Sequence, residues 1–140
     1  MFLSNFAAAP TPHRGWLYAT SEHAFAAAKT RDASAIAAIR DTDDPAQAKR
    51  IGRAAPLVDG WEAGAKFVAM EEVVRAKFDH NAELARRLLA TEGSLLVEGN
   101  TWHDQTWGSC SCDEHCDIPG ANALGVILMA ARLRLTALGC

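Results

Sequence analysis

The sequence predicts a mostly α protein of α+β type, a compact single helical domain with a minor strand pairing. Helix start signals recur at Thr20-Ser21, Asp32 and Asp44-Pro45. Apolar residues fall at helical spacing at Phe67, Met70, Val74 and Phe78, and again between Leu124 and Leu135. Strand-like runs are few and short, at 16–20 and 95–97. Alanine blocks such as Ala7-Ala8-Ala9 and Ala26-Ala27-Ala28 favour helix while supplying little core volume. The Phe, Trp, Leu, Val and Ile side chains must therefore fill the interior.

Residues 1–20 mix aromatics with Pro and Gly, which predicts loops and one strand over 16–20. Thr20 or Ser21 caps a first helix from Glu22 to about Thr30. Asp32 caps a second over Ala33 to Ile39. Asp44-Pro45-Ala46-Gln47 combines an N-cap acid, Pro at the first helical position and Gln where a capping box wants it. That third helix ends before Pro56. The longest helix starts at Trp61, burying Phe67, Met70, Val74 and Phe78 and leaving Glu71, Glu72, Arg75 and Lys77 largely on other faces. Another runs from Asn81 to Ala90 with Leu84 and Leu88 inward, and stops at Glu92-Gly93. Leu95-Leu96-Val97 reads as a short strand. Residues 99–120 form a long polar loop with two tryptophans, a length that marks functional loops. The last helix, 122–137, is apolar on most faces and is expected to be the central one.

The chain has 140 residues, enough for one self-sufficient core. Nothing in its composition marks a linker, so a single domain over 1–140 is expected. Fourteen basic against 17 acidic residues give a net charge of −3. That balance argues against a protein that coats duplex nucleic acid, and leaves room for an enzyme that handles one nucleotide. The apolar share of 49% and charged share of 22% exclude a disordered chain. No run approaches the ~18 apolar residues of a bilayer span, and no basic-flanked apolar leader opens the sequence. A cytoplasmic protein with no membrane partner is the expectation.

The four cysteines, Cys110, Cys112, Cys116 and Cys140, all lie in the last quarter. Three readings stand. Reduced thiols are the default without a secretory signal. Zinc has the right residue types in Cys110, Cys112, His115 and Cys116, without the usual pair of hooks separated by a longer loop. A redox role would use the close pair Cys110 and Cys112. No metal or other cofactor is required by the chemistry below.

Two segments concentrate chemistry. Glu22 and Lys29 lie two helical turns apart on one face, about 10 Å along the axis. Between Ala24 and Ala28 the helix carries no charge and has Phe25 at its middle. A lysine in such apolar surroundings loses pKa and becomes a usable amine nucleophile; otherwise the two charges belong to a solvated face. The second segment, Glu98 to Gly108, holds Glu98, Asp104, His103, Trp102 and Trp107. Indoles stack on bases and sugars, and carboxylates stabilise a cationic sugar carbon. The competing reading is that the indoles plug the core edge while the acids cap turns. Lys49, Arg50 and Arg53 place three cations near a helix end, suited either to a phosphate or to the helix dipole.

Taken in order, these motifs resemble the NADAR superfamily, the YbiA-like proteins. Phe2-Leu3-Ser4-Asn5-Phe6 resembles the opening Phe-x-Ser-Asn-Phe. Tyr18-Ala19-Thr20-Ser21-Glu22-His23-Ala24-Phe25 with Ala27-Ala28-Lys29 resembles the central signature, and Lys49 with Gly52-Arg53 its Lys-x-x-Gly-Arg. Leu96-Val97-Glu98, Asn100, Asp104 and Trp107-Gly108 resemble a second signature, and Gly120, Asn122, Leu124-Gly125, Leu128-Met129 and Arg132 complete the pattern. Ala26 stands where the family usually has Gln, and Cys110 to Cys116 looks like a local insertion. The resemblance implies a helical YbiA-like fold and cleavage of N-glycosidic bonds at a phosphorylated ribose. It implies two substrate classes: a ribosylamino-pyrimidine of the riboflavin route, or ADP-ribose carried by guanine, free or in nucleic acid. It further implies catalysis by Glu22, Lys29 and Asp104, with Lys29 as a Schiff-base nucleophile. Direct hydrolysis by the two carboxylates is the variant mechanism. Substrate contacts are expected from Asn5, Tyr18, Lys49, Arg53, Trp107, Gly108 and Asn122. A module that binds ADP-ribose or a nucleotide without cleaving it is the alternative of another class.

Overall fold

The computed structural model describes residues 1–139; Cys140 lies outside the described residues. The chain gathers into two compact units, residues 1–84 and residues from 85 onward.

The first unit opens with a hairpin. Strand β1 (Thr11–His13) pairs antiparallel with β2 (Trp16–Tyr18), Thr11 opposite Tyr18 and His13 opposite Trp16. Arg14 and Gly15 turn the chain with φ of 47° and 83°, both left-handed, as a two-residue hairpin turn demands. The sequence pattern shows only β2, because β1 carries Pro12, which has no N–H for a ladder. Helix α1 (Ser21–Ala28) follows, and all eight of its residues are buried. The Thr20 hydroxyl caps it by accepting from the His23 amide at 3.2 Å. Helix α2 (Ala33–Asp41) is capped by Asp32, which accepts from the Ala35 amide at 2.7 Å. Helix α3 (Pro45–Ala54) is capped by Asp44, accepting from the Ala46 amide at 2.9 Å. Gln47 does not close a capping box; its Oε1 accepts from the Thr42 hydroxyl at 2.9 Å. Helix α1 packs against α3 and against the long helix described next.

That helix departs from expectation at its start. Residues Trp61–Ala65 form a π turn in which the Ala65 amide bonds Gly60, five residues back, and Gly64 sits at φ 143°. Regular helix α4 runs Lys66–His80. Its buried stripe includes Met70, Val74 and Phe78 as expected, with Ala69 and Val73. Phe67, on the same face but in the first turn of α4, is 38% exposed. Lys77, expected on an outer face, is only 1% exposed. Its ammonium donates to the carbonyls of Phe2 at 2.8 Å and Ser4 at 2.9 Å, which lets a cation sit inside. Burial pushes its pKa down to about 8.

Helix α5 (Ala82–Leu89) carries the boundary between the units. It buries Leu88 and Ala85, while Leu84 is half-buried rather than fully inward. Gly93 follows in the left-handed region at φ 82°. Segment 95–97 is not a strand. The Leu96 carbonyl is occupied by the Asn122 side chain at 2.8 Å, which leaves no ladder to form. The second unit's strand pair lies further on: β3 (Gly99–Asn100) runs parallel to β4 (Ser109–Cys110) inside the long loop. Helix α6 (Ala123–Ala137) is one-sided. It buries Leu124, Gly125, Leu128, Ala131 and Leu135, whereas Val126 and Leu133 are exposed. The fully buried helix is therefore α1, not α6. Among the described residues no helix is long and apolar enough to cross a membrane.

Candidate functional site

Glu22 and Lys29 sit at opposite ends of α1. Glu22 is in the first turn, 7% exposed, with its backbone amide donating to the Asn5 carbonyl at 3.0 Å. Its carboxyl makes no hydrogen bond among the described residues. Burial raises its pKa, opposed by the positive charges of Lys49, Lys29 and Arg53. Lys29 is the C-cap residue, with Nζ 5.3 Å from the centre of the Phe25 ring. Burial lowers its pKa; Glu22 pulls it back up, Arg53 and Lys49 push it further down, and Glu62 raises it slightly. Of these opposing influences burial prevails. Trp61 packs its indole on Phe25 with ring centres 5.3 Å apart.

Lys49 and Arg53 lie one turn apart on α3, and the packing of α3 on α1 brings their charge to bear on Glu22. Gly52 makes this approach possible. A Cβ built there would meet Ala26 Cβ at 3.0 Å and the Ala26 carbonyl oxygen at 3.3 Å. Lys49 Nζ also stands 5.7 Å above the Phe6 ring. Tyr18 is buried at the end of β2, and burial raises its phenol pKa.

Asn5 is engaged at both ends of its amide. It donates to Met70 Sδ at 3.3 Å and accepts from the Ser21 hydroxyl at 3.0 Å. His23 is equally committed. Its Nε2 lies 2.9 Å from the Thr42 carbonyl, so that nitrogen carries the proton and donates. Its Nδ1 lies 2.8 Å from the Thr20 hydroxyl, within hydrogen-bond distance. The ring thus ties α1 to the α2–α3 connection.

The remaining candidates lie in the second unit. Asn100 clamps Asp104 from both sides: Asn100 Nδ2 donates to the Asp104 carbonyl at 2.7 Å, and the Asp104 amide donates to Asn100 Oδ1 at 3.1 Å. Asp104 Oδ1 accepts from the amides of Thr106 at 3.0 Å and Trp107 at 2.8 Å. One carboxylate oxygen thus holds the turn that carries Trp107, as the turn-capping reading expected; Oδ2 makes no hydrogen bond among the described residues. Trp107 is half-buried and Trp102 is exposed. Gly108 is buried where any Cβ would collide with the Glu98 carbonyl. Asn122, at φ 51°, spends its amide on segment 96–98, donating to Leu96 and accepting from the Glu98 amide at 3.0 Å.

The cysteine segment also differs from expectation. Cys110, Cys112 and His115 come together, and His103, not Cys116, joins them. Cys116 is exposed and its thiol points at the Asp113 carbonyl, 3.5 Å away. Sequence spacing missed His103 because six residues separate it from Cys110; the parallel pairing of β3 with β4 brings the two segments side by side.

A family model for the NADAR domain matches residues 1–136. The "N-glycosidase YbiA" of Escherichia coli (strain K12) is 40% identical over 134 residues, covering 94% of this chain and 79% of its own length. The "Riboflavin biosynthesis protein VVA0006" of Vibrio vulnificus (strain YJ016) is 33% identical over 138 residues, 96% of this chain and 35% of that protein. The NMR structure of Escherichia coli YbiA superposes with a TM-score of 0.82 and 38% identity, over 99% of this chain and 79% of that one.

Proposed function

Because the chain belongs to the NADAR domain family, matched over residues 1–136, we propose that it cleaves the N-glycosidic bond of a phosphorylated ribosyl or ADP-ribosyl substrate through an imine on Lys29. The chain is a hydrolase of N-glycosyl bonds, in line with its 40% identity to an N-glycosidase over most of its length. The observation that carries the mechanism is the buried pair on α1: an amine whose pKa burial lowers and a carboxyl whose pKa burial raises. Those are the directions of shift that favour an amine nucleophile and a carboxyl that carries protons.

The steps follow from that pair. The C1–O ring bond breaks as Glu22 gives its proton to the ring oxygen and the lone pair of the base nitrogen forms a C1=N iminium. The neutral ε-amine of Lys29 adds to C1 and loses a proton to Glu22. Glu22 returns a proton to the base nitrogen, which leaves as the free amine. Water then adds to the C1=Nζ imine, Nζ departs, and the aldehyde form of the sugar is released with Lys29 restored. Lys49 and Arg53 hold the phosphate, where paired cations recognise the anion best. Asn5, with both amide ends engaged, positions α1, and Asn122 positions segment 96–98. The motif resemblance implies Tyr18 as a substrate contact. From the second unit, Asp104, Trp107 and Gly108 enter on the strength of the motif resemblance. A carboxylate such as that of Asp104 suits a cationic sugar carbon or a ribose hydroxyl, and an indole such as that of Trp107 suits a flat base.

The substrate class rests on names and chemistry. A riboflavin-associated relative favours a ribosylamino-pyrimidine phosphate; ADP-ribosyl guanine, free or in nucleic acid, offers the same C1–N bond. Borohydride is added to the protein with each substrate, and intact mass is recorded. A reduced ribosyl adduct in the wild type that is missing in Lys29→Ala establishes the imine and identifies the substrate. Base release without an adduct replaces the imine with direct hydrolysis by the carboxylates. Binding without release from either substrate replaces the enzyme with a nucleotide-binding module.

A further inference from the structure

We infer that His103, Cys110, Cys112 and His115 form a structural zinc site inside the second unit. Their four ligand atoms all lie within 4.8 Å of one another. Three of them are closer. His103 Nδ1 and His115 Nδ1 are 3.3 Å apart, and Cys112 Sγ lies 3.4 Å from the first and 3.2 Å from the second. Zinc bonds of 2.0–2.1 Å to nitrogen and 2.3 Å to sulfur, set tetrahedrally, require an N···N edge of about 3.3 Å and N···S edges of about 3.6 Å. The three atoms therefore already form one face of a zinc tetrahedron to within a few tenths of an ångström. Both imidazoles aim the same ring nitrogen at one thiol.

The chemistry of the donors selects the ion. Two thiols and two imidazoles suit zinc rather than magnesium or calcium, which take oxygen. Four protein ligands leave no open position, the mark of a structural rather than a catalytic centre. The surrounding bonds support such a site. The Cys112 amide donates to Cys110 Sγ at 3.5 Å, and the Cys110 amide donates to Gln105 Oε1 at 2.7 Å. Glu114 Oε2 lies 3.7 Å from His103 Nδ1 and adds negative charge beside the cluster. His103 has φ 67°, a left-handed backbone for a non-glycine residue. That strain is consistent with a ring held in place for a ligand. The ion would staple both ends of the segment that contains Asp104 and Trp107, so the candidate catalytic loop would owe its order to a metal outside the chemistry.

The test uses the intact protein. After dialysis against a chelator it is titrated with zinc and, separately, with cobalt. The site predicts a single zinc ion per chain with a Kd below about 1 µM. It also predicts the intense visible bands of tetrahedral cobalt, a thiolate-to-cobalt charge-transfer band, and a higher Tm on zinc addition. Cys116→Ser must keep all of these, while His103→Ala, exposed enough to leave the core intact, and Cys112→Ser must weaken them. Weak octahedral cobalt bands without charge transfer overturn the proposal, as does equal zinc binding by wild type and Cys112→Ser. Because none of these readouts measures glycosidase activity, their failure leaves the reaction proposed above untouched.

Discussion

The backbone of Gly52 on α3 lies directly against Ala26 on α1, so close that an added Cβ would stand 3.0 Å from the alanine methyl carbon. Both residues are buried, and the contact sets how near the cations of α3 come to Glu22. Gly52→Val should cost about 1–3 kcal/mol by forcing the helices apart, read as a lower denaturant midpoint. The same variant should raise KM more than it lowers kcat, because Lys49 and Arg53 retreat together. An unchanged midpoint would show that the helices separate freely.

The two ends of α1 make different contributions. Lys29→Ala should lower kcat/KM by at least about 10³-fold, and Lys29→Arg should not rescue it, since a guanidinium stays charged. Glu22→Gln should lower kcat by about 10²–10⁴-fold, the range for a lost proton carrier, with little change in KM. Steady-state kinetics on the identified substrate distinguishes these from a merely structural loss, which would appear in thermal melts.

Lys29 attacks only when neutral, so the acidic limb of the pH profile of kcat/KM should follow its lowered pKa. Arg53 lowers that pKa and Glu62 raises it. Arg53→Gln should therefore move the limb to higher pH, and Glu62→Gln to lower pH. Shifts in the same direction, or no shift in either, would remove Lys29 as the group that sets the limb.

Lys77 gives a stability counterpart. Its folded pKa of about 8 lies below the ordinary 10.5. Between these values the unfolded chain holds the proton that the folded chain has released, so stability rises with pH across that window. The full gap corresponds to about 3 kcal/mol. Subtracting the denaturation free energy of Lys77→Met from that of the wild type at pH 7.5, 9 and 10.5 should show this rise. A flat difference would mean that the two carbonyls of Phe2 and Ser4 compensate the buried charge fully.

Asp104→Asn tests the second unit. Asparagine keeps the Oδ1 acceptor for the Thr106 and Trp107 amides, so the turn and the Tm should survive. Loss of activity with retained fold would assign the charge, and not the turn, to the reaction. Asp104→Ala should lose both.

Local chemistry made much of the fold legible. Thr20, Asp32 and Asp44 announce three helices because a cap acts within three residues of its own position. What depends on distant partners was hidden. Leu95 to Val97 looks like a strand until the Asn122 amide takes the Leu96 carbonyl. Lys77 looks like a surface charge until the chain's first residues offer two carbonyls. The apolar run of α6 suggested the centre of the molecule, yet an alanine-rich helix with one histidine, α1, is the one fully enclosed. For the candidate site, spacing found Glu22 and Lys29 on one helix. It could not give the direction of the amine's pKa, which depends on how deeply packing buries it.

The chain as a whole repels anions, with a net charge of −3. Around Glu22 the sign is reversed: one carboxylate is set among Lys29, Lys49 and Arg53. A phosphorylated ligand thus meets a locally attractive window on an otherwise repulsive molecule. Added salt screens both fields over about 10 Å at 0.1 M. Capture should slow as the nearby attraction fades, and polyanions too broad to fit the window should be turned away most strongly at low ionic strength.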